Sequence, residues 1–209
     1  GFVLDPRRVA EPMDGRIVTW MREYACRTGR ALTGSAIIRD DGRYFNRQLF
    51  VRPTGEVTVY DKRHLFSIGG EGGLFTAGTE RVVVEYGGLR LLLLVCYDLR
   101  FPVWSRCRND YDAIVYSASW PESRREVWRT LLRARAIENE AYVIGVNRVG
   151  VDPSARYTGD SVIVDFMGRT AADAGDRETV IEATLDREAL ERFRTKFPAW
   201  RDADPFTLG

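Results

Sequence analysis

Cys96 closes an uninterrupted apolar run, 91–95, and is followed by Asp98, Arg100 and Pro102. A run with no polar alternation is what a strand covered on both faces requires. The thiol is therefore expected at a sharp strand-to-helix turn, where helix-end amides can stabilise an anion. A thiol so placed attacks a carbon bonded to nitrogen once a base takes its proton or a cation lowers its pKa. Lys62 is the candidate cation, and its ammonium could also stabilise the oxyanion formed on attack. It is one of only two lysines, with Lys196, among 31 basic residues, so it is less readily dismissed as incidental surface charge. The single histidine, His64, allows another pairing, in which imidazole acts as base toward Cys96; no papain-like signature flanks it. Each residue also has an ordinary structural reading: an inert core thiol, a solvated loop lysine, a histidine satisfied within its own loop.

The elements that must position these groups follow from periodicity. Residues 15–28 place Ile17, Trp20, Met21, Tyr24 and Ala25 at helical spacing, and Gly29 follows as a stop. Residues 31–39 and 44–51, joined by an Asp-Asp-Gly turn, read as a hairpin, with a third strand at 56–60 after Pro-Thr-Gly. Residues 61–78 have no clear period and contain five glycines. This predicts a long loop, the kind that is usually functional, and it carries Lys62, His64 and Glu71. A hairpin at 81–86 and 89–95, a short helix after Cys96, a strand at 113–117, a helix at 122–138 and an apolar strand at 142–146 follow. Residues 150–159 read as loop, 161–166 and 179–185 as strands, and Asp186 as the cap of a helix reaching about residue 194. Hairpins mixed with long helices and uniformly apolar strands suggest an α/β class chain, with sheets packed on their inner faces and helices outside.

The 209 residues, 44% apolar and 29% charged, suffice for one substantial core, and no repeat or linker divides them, so 1–209 is expected to be one domain. A net charge of +1 gives no basic excess favouring nucleic acid or anionic lipid, and no apolar run approaches spanning length. Small neutral partners fit better. Cys26, Cys96 and Cys107 form neither an even set nor a metal-type spacing, which points away from a zinc site and toward a reducing, cytoplasmic setting.

Several ordered blocks together resemble one family. Tyr-Asp-Lys-Arg-His-Leu-Phe at 60–66, Gly-Gly-Glu at 69–71, Phe-Thr-Ala-Gly at 75–78 and Val-Cys-Tyr-Asp-Leu-Arg-Phe-Pro at 95–102 are similar to the lysine and cysteine blocks of the nitrilase superfamily of carbon–nitrogen hydrolases. Ser-Trp-Pro at 119–121 and the stretches 132–140, 142–150, 157–161 and 193–198 resemble its omega-amidase branch, in particular the bacterial members. The resemblance implies a four-layer alpha-beta-beta-alpha sandwich and a Glu-Lys-Cys triad working without cofactor or metal on a small amide, in a homodimer. It makes Cys96 the nucleophile, Lys62 the stabiliser of the tetrahedral intermediate together with the Tyr97 backbone amide, and Glu71 a supporting acid. Arg100 and Trp120 fall at substrate-contacting positions; an ion pair of Arg100 with Asp98 and simple core packing of Trp120 remain open beside that.

In the family pattern the general-base glutamate precedes a Gly-Phe pair, matched here by Gly1-Phe2, so the expectation is a chain missing its first strand or strands and a helix. Glu11 and Glu23 are poor substitutes, one in a loop beside Pro12 and one on the polar side of a helix. The expected activity is hydrolysis of the terminal amide of an alpha-keto dicarboxylic monoamide through a cysteine thioester. The alternatives are an amidase with another acyl substrate and an inactive member of the fold serving binding or assembly.

Overall fold

The computed structural model describes residue 3 and residues 5–208; Gly1-Phe2, on which the expectation of a missing leading segment rested, lies outside the described residues. Helix α1 (Arg16–Thr28) ends at Gly29, whose φ of 66° closes it. Its buried side is Val18, Met21 and Ala25, while Ile17 and Trp20, expected on the apolar face, are exposed. Strands β1 (Leu32–Asp40), β2 (Arg43–Val51) and β3 (Val57–Asp61) form an antiparallel sheet against which α1 packs.

The second sheet is built from β4 (Val83–Tyr86), β5 (Leu89–Val95), β6 (Ala113–Ala118) and β7 (Tyr142–Asn147). After the hairpin of β8 (Val149–Asp152) and β9 (Ala155–Thr158), β10 (Val162–Val164) and β11 (Thr170–Asp173) complete it in the order β11-β10-β7-β6-β5-β4. Its centre, β5-β6-β7, is parallel. The two sheets face each other, β2 against β5 and β1 against β6, and Phe50 and Tyr60 of the first join Leu91, Leu92, Leu93 and Leu94 in one apolar core. Helix α3 (Arg125–Asn139) covers the outer face of the second sheet, and Gly145 permits its close approach, since a Cβ there would lie 2.5 Å from Leu132. Helix, sheet, sheet and helix make the expected four-layer sandwich. Leu91 to Val95 are buried throughout, as a run without alternation demands.

Three expectations need correction. The stretch after Cys96 is a 3-10 turn, Cys96–Arg100, followed by the one-turn α2 (Pro102–Ser105). Pro102 drives Phe101 into extended backbone (ψ 91°), which divides what would have been one helix. Residues 150–159 are largely the β8-β9 hairpin, whose turn is held by the Asp152 carboxylate accepting from the Ser154 and Ala155 N–H groups. Residues 179–185 form no strand: Val180 is 84% exposed there, and the partner of β10 is β11, a segment too polar to announce itself. Asp186 caps α4 (Arg187–Lys196) as expected, accepting from the Ala189 N–H at 2.9 Å.

Candidate active site

The parallel registers set Val95 beside Ser117 and Ala118 beside Asn147, so Cys96, Ser119 and Trp120 emerge together at the carboxyl ends of β5 and β6. This is where open α/β sheets place their chemistry. Cys96 has φ 45°, a left-handed conformation that costs a non-glycine residue on the order of 1 kcal/mol or more and persists only where the surroundings hold it. The residue is partly exposed. Burial of the thiol pushes its pKa above the ordinary value; the Lys62 charge and the Ser119 backbone N–H pull it down, and the Glu71 and Asp98 charges push it up. Tyr97 is the second residue of the 3-10 turn, a position whose N–H has no acceptor inside the turn.

Lys62 comes from the other sheet, immediately after β3. Its backbone is fixed on both sides, its N–H donating to the Asn46 carbonyl at 2.9 Å and its carbonyl accepting from the Gly78 N–H at 3.0 Å. Beside it, Arg47 grips the Asp61 carboxylate with two bonds of 2.7 and 3.0 Å. The Lys62 side chain is 2% exposed, and its ammonium donates to Glu71 Oε2 at 2.6 Å. Glu71, 1% exposed, also accepts from the Phe66 N–H at 2.6 Å and, at Oε1, from the Asn46 amide at 3.1 Å. A buried ammonium is tolerable when so paired and hydrogen-bonded. Here it stands oriented by a carboxylate whose own oxygens are filled. The long loop supplies this carboxylate from a second 3-10 turn, Glu71–Gly73.

His64 does not serve Cys96 in the manner of a Cys/His pair. Its Nδ1 lies 2.8 Å from Asp98 Oδ1 and its ring stacks on Phe101 at 3.8 Å. Arg100 has no ion pair among the described residues; its guanidinium lies over the Trp120 ring at 5.2 Å, while Asp98 is engaged by Tyr60, His64 and Val95. Trp120 is 3% exposed, packs against Trp128 at 5.5 Å, and donates from Nε1 to the Arg124 carbonyl. It is thus a core residue that also presents a ring to Arg100. Asn147, at the end of β7, brackets Trp120 from both sides, accepting from its N–H at 2.7 Å and donating to its carbonyl at 3.0 Å.

Asn46, Ser119 and Asn147 were missed by the sequence reading. Asn46 reaches Glu71 only through the β2-β3 register, and nothing in its sequence neighbourhood marks it. Asn147 lies inside the resembling stretch 142–150, which was a signal available but unused. Among the described residues no cluster of side chains suits a metal ion.

Comparison with known proteins gives a consistent picture. The carbon–nitrogen hydrolase family profile matches residues 1–195. Omega-amidase YafV of Yersinia enterocolitica is 45% identical over 210 residues, covering 100% of this chain and 82% of that protein. The 2-oxoglutaramate amidase of Bacillus subtilis is 34% identical over 194 residues, 90% of this chain and 75% of that one. A solved carbon–nitrogen hydrolase superfamily protein of Xanthomonas campestris, with an arsenic adduct in its active site, superposes with a TM-score of 0.96 at 44% identity, covering 100% of this chain and 82% of that chain.

Proposed function

The chain belongs to the carbon–nitrogen hydrolase family, and from that premise we propose that it hydrolyses the terminal amide of a small alpha-keto dicarboxylic monoamide to acid and ammonia. One observation carries the reading at the level of residues: the Lys62–Glu71 pair, fully buried at 2.6 Å, whose ammonium charge acts on a thiol held in a strained turn. In this reading the Cys96 thiolate attacks the amide carbon. The carbonyl oxygen becomes an oxyanion stabilised by the Lys62 ammonium and the Tyr97 N–H; the proton taken from the thiol passes to the amide nitrogen, and collapse breaks the carbon–nitrogen bond to expel ammonia and leave a thioester on Cys96. Water then attacks the thioester carbon and releases the acid and the thiol. Glu71 holds Lys62 in place. Glu71 and Asp98, the two carboxylates whose charge reaches Cys96, are both filled with donors. Neither therefore suits the base that takes the thiol proton. Arg100, laid over Trp120, is the proposed clamp for the substrate's distal carboxylate.

The test is incubation with 2-oxoglutaramate, following ammonia release and the intact mass of the protein. Ammonia release that Cys96→Ala abolishes, with an acyl adduct trapped on Cys96, is the expected result. Release undiminished in Cys96→Ala ends the proposal. Parallel assay of simple aliphatic amides decides the acyl group, since Lys62, Glu71 and Cys96 act on the bond cleaved rather than on the length of the acyl chain. The binding or assembly alternative is not favoured beside relatives named as amidases.

We further propose a homodimer in a reducing, cytoplasmic compartment. Val103 of α2 and Phe197 after α4, 54% and 60% exposed, are apolar surface beside the nucleophile turn and in the tail that a second copy would cover, and all three cysteines are unpaired. No described helix is long and apolar enough to cross a membrane.

A further inference from the structure

Behind the thiol lies a second buried polar network that the proposed reaction does not consume. Asp98, two residues after Cys96, is 0% exposed. Its Oδ2 accepts from the Val95 N–H at 2.9 Å and from the Tyr60 hydroxyl at 2.8 Å. Its Oδ1 accepts from the His64 N–H at 3.0 Å and lies 2.8 Å from His64 Nδ1. An ionised carboxylate only accepts, so the ring proton is assigned to Nδ1. The Tyr60 oxygen in turn accepts from the Arg63 N–H and from Trp104 Nε1, each at 3.1 Å.

Tyr60 and His64 stand two residues before and two residues after Lys62. One carboxylate on the nucleophile turn thus holds both flanks of the lysine, which arrives from the opposite sheet. β3 is an edge strand bonded along its ladder to β2 alone, and the core the two sheets share is apolar, the bond from the Arg52 guanidinium to the Glu85 carbonyl being an exposed one beyond the end of β2. Apolar packing is non-directional and does not by itself fix the slide of one sheet on the other. Directional bonds to a buried acceptor do.

We propose that Asp98 is a positioning residue that, through Tyr60 and His64, locks Lys62 against the Cys96 turn. This rests on the reading that Lys62 and Cys96 act together. Electrostatics alone gives the opposite expectation for removing the charge. The Asp98 carboxylate disfavours the neighbouring thiolate, as Glu71 does, while Lys62 and the Ser119 N–H favour it. If Asp98 acted only through its charge, neutralising it would make Cys96 more reactive. If it positions Lys62, neutralising it makes Cys96 less reactive, and the loss depends on Lys62 being present.

The experiment measures iodoacetamide alkylation of Cys96 in the full chain against pH, reading the Cys96 peptide by mass spectrometry, for Asp98→Asn, Lys62→Met and the double variant. Asp98→Asn is expected to slow alkylation at pH 8 by about tenfold, the effect of one unit in the thiol pKa. In the Lys62→Met background the same change is expected to slow it no further. A faster or unchanged rate in Asp98→Asn, or equal slowing with and without Lys62, overturns the proposal. Should Asp98→Asn fail to fold by circular dichroism, Tyr60→Phe and His64→Ala each remove one tether and keep the charge. Both are expected to slow alkylation, by a lesser factor and only when Lys62 is present; unchanged rates in both overturn the proposal. In turnover of an omega-amide the loss falls on kcat and leaves KM unchanged. Alkylation needs no turnover, so absence of amidase activity would count against the proposed function and leave this test intact.

Discussion

Replacing Lys62 by methionine strands the Glu71 carboxylate without its cation at 1% exposure, and breaking one side of such a pair costs on the order of 3–5 kcal/mol. Lys62→Met is therefore expected to lower the urea midpoint sharply, while Lys62→Met with Glu71→Leu recovers only part of the loss, because the apolar pair leaves no charge uncompensated but strands the Phe66 N–H and the Asn46 amide that Glu71 satisfies. The same single change removes the positive charge that favours the Cys96 thiolate, so the thiol pKa rises and alkylation at a fixed pH slows. The two readouts separate at Glu71→Gln. That variant removes a negative charge that disfavours the thiolate, while its amide oxygen still accepts from the ammonium and keeps Lys62 in place through a weaker bond that is no longer charge-assisted. Faster alkylation with reduced amide turnover is the expected combination, checked by running both assays on one preparation. His64 illustrates the limit of residue types read singly. Its imidazole lies only two residues from Lys62, yet it is turned onto Asp98 and stacked on Phe101.

At the level of elements, Gly78 decides where Lys62 can sit. Its N–H holds the Lys62 carbonyl, and a Cβ on it would lie 2.1 Å from the Asp61 carbonyl oxygen, a backbone atom with no rotamer to yield. Gly78→Ala is expected to push the end of β3 away from the Cys96 turn and to lower kcat more than it lowers stability, measured by steady-state ammonia release beside urea unfolding. Asp186→Ala tests an element far from the thiol. Loss of its bond to the Ala189 N–H should cost about 1 kcal/mol and leave Cys96 alkylation unchanged. The elements also show which strands announce themselves. β5 is buried on both faces and β7 on one face and the start of the other, and both read as apolar runs, whereas β11 and the β8-β9 hairpin are short, mixed segments whose pairing depends on neighbours distant in sequence. Residues 179–185 show the converse, an apolar pattern left without a sheet to join.

For the whole molecule, ionisation limits stability on both sides of neutrality. Asp112 is pushed up by burial, but hydrogen bonds and charge from Arg90, with the charge of Arg194, outweigh this and hold it below 3.8. Asp110 is likewise lowered, burial being overcome by the Arg108 N–H and the Arg81 guanidinium. For a lowered carboxylate the unfolded chain binds protons first. Its stabilisation is complete above the ordinary value of 3.8 and is lost as pH falls through the folded value. The thiols of Cys96 and Cys107 and the phenols of Tyr60, Tyr111 and Tyr116 are all raised, burial being the first cause in each. There the unfolded chain releases protons first, so stability falls as pH rises past the ordinary thiol value of 9.0 and tyrosine value of 10.0. Urea midpoints are expected to be flat from about pH 5 to 8 and to fall outside that range; a midpoint still rising at pH 10 would contradict the alkaline half.

The sequence by itself determined the sandwich and singled out the candidate catalytic groups. Unalternating apolar strands must be covered on both faces, and ordered blocks around Lys62, Glu71 and Cys96 resemble one family along the whole chain. What it could not determine is how two sheets are held in register so that a lysine on one meets a cysteine on the other. That was decided by tertiary contacts: Asn46 reaching Glu71 across the β2-β3 pairing, Ser119 arriving beside the thiol through the β5-β6 register, and Asp98 binding Tyr60 and His64 across the sandwich. Hydrophobic burial depends on local pattern and so is legible in one dimension. Hydrogen-bond geometry depends on where distant backbones come to lie, and only the folded chain contains that information.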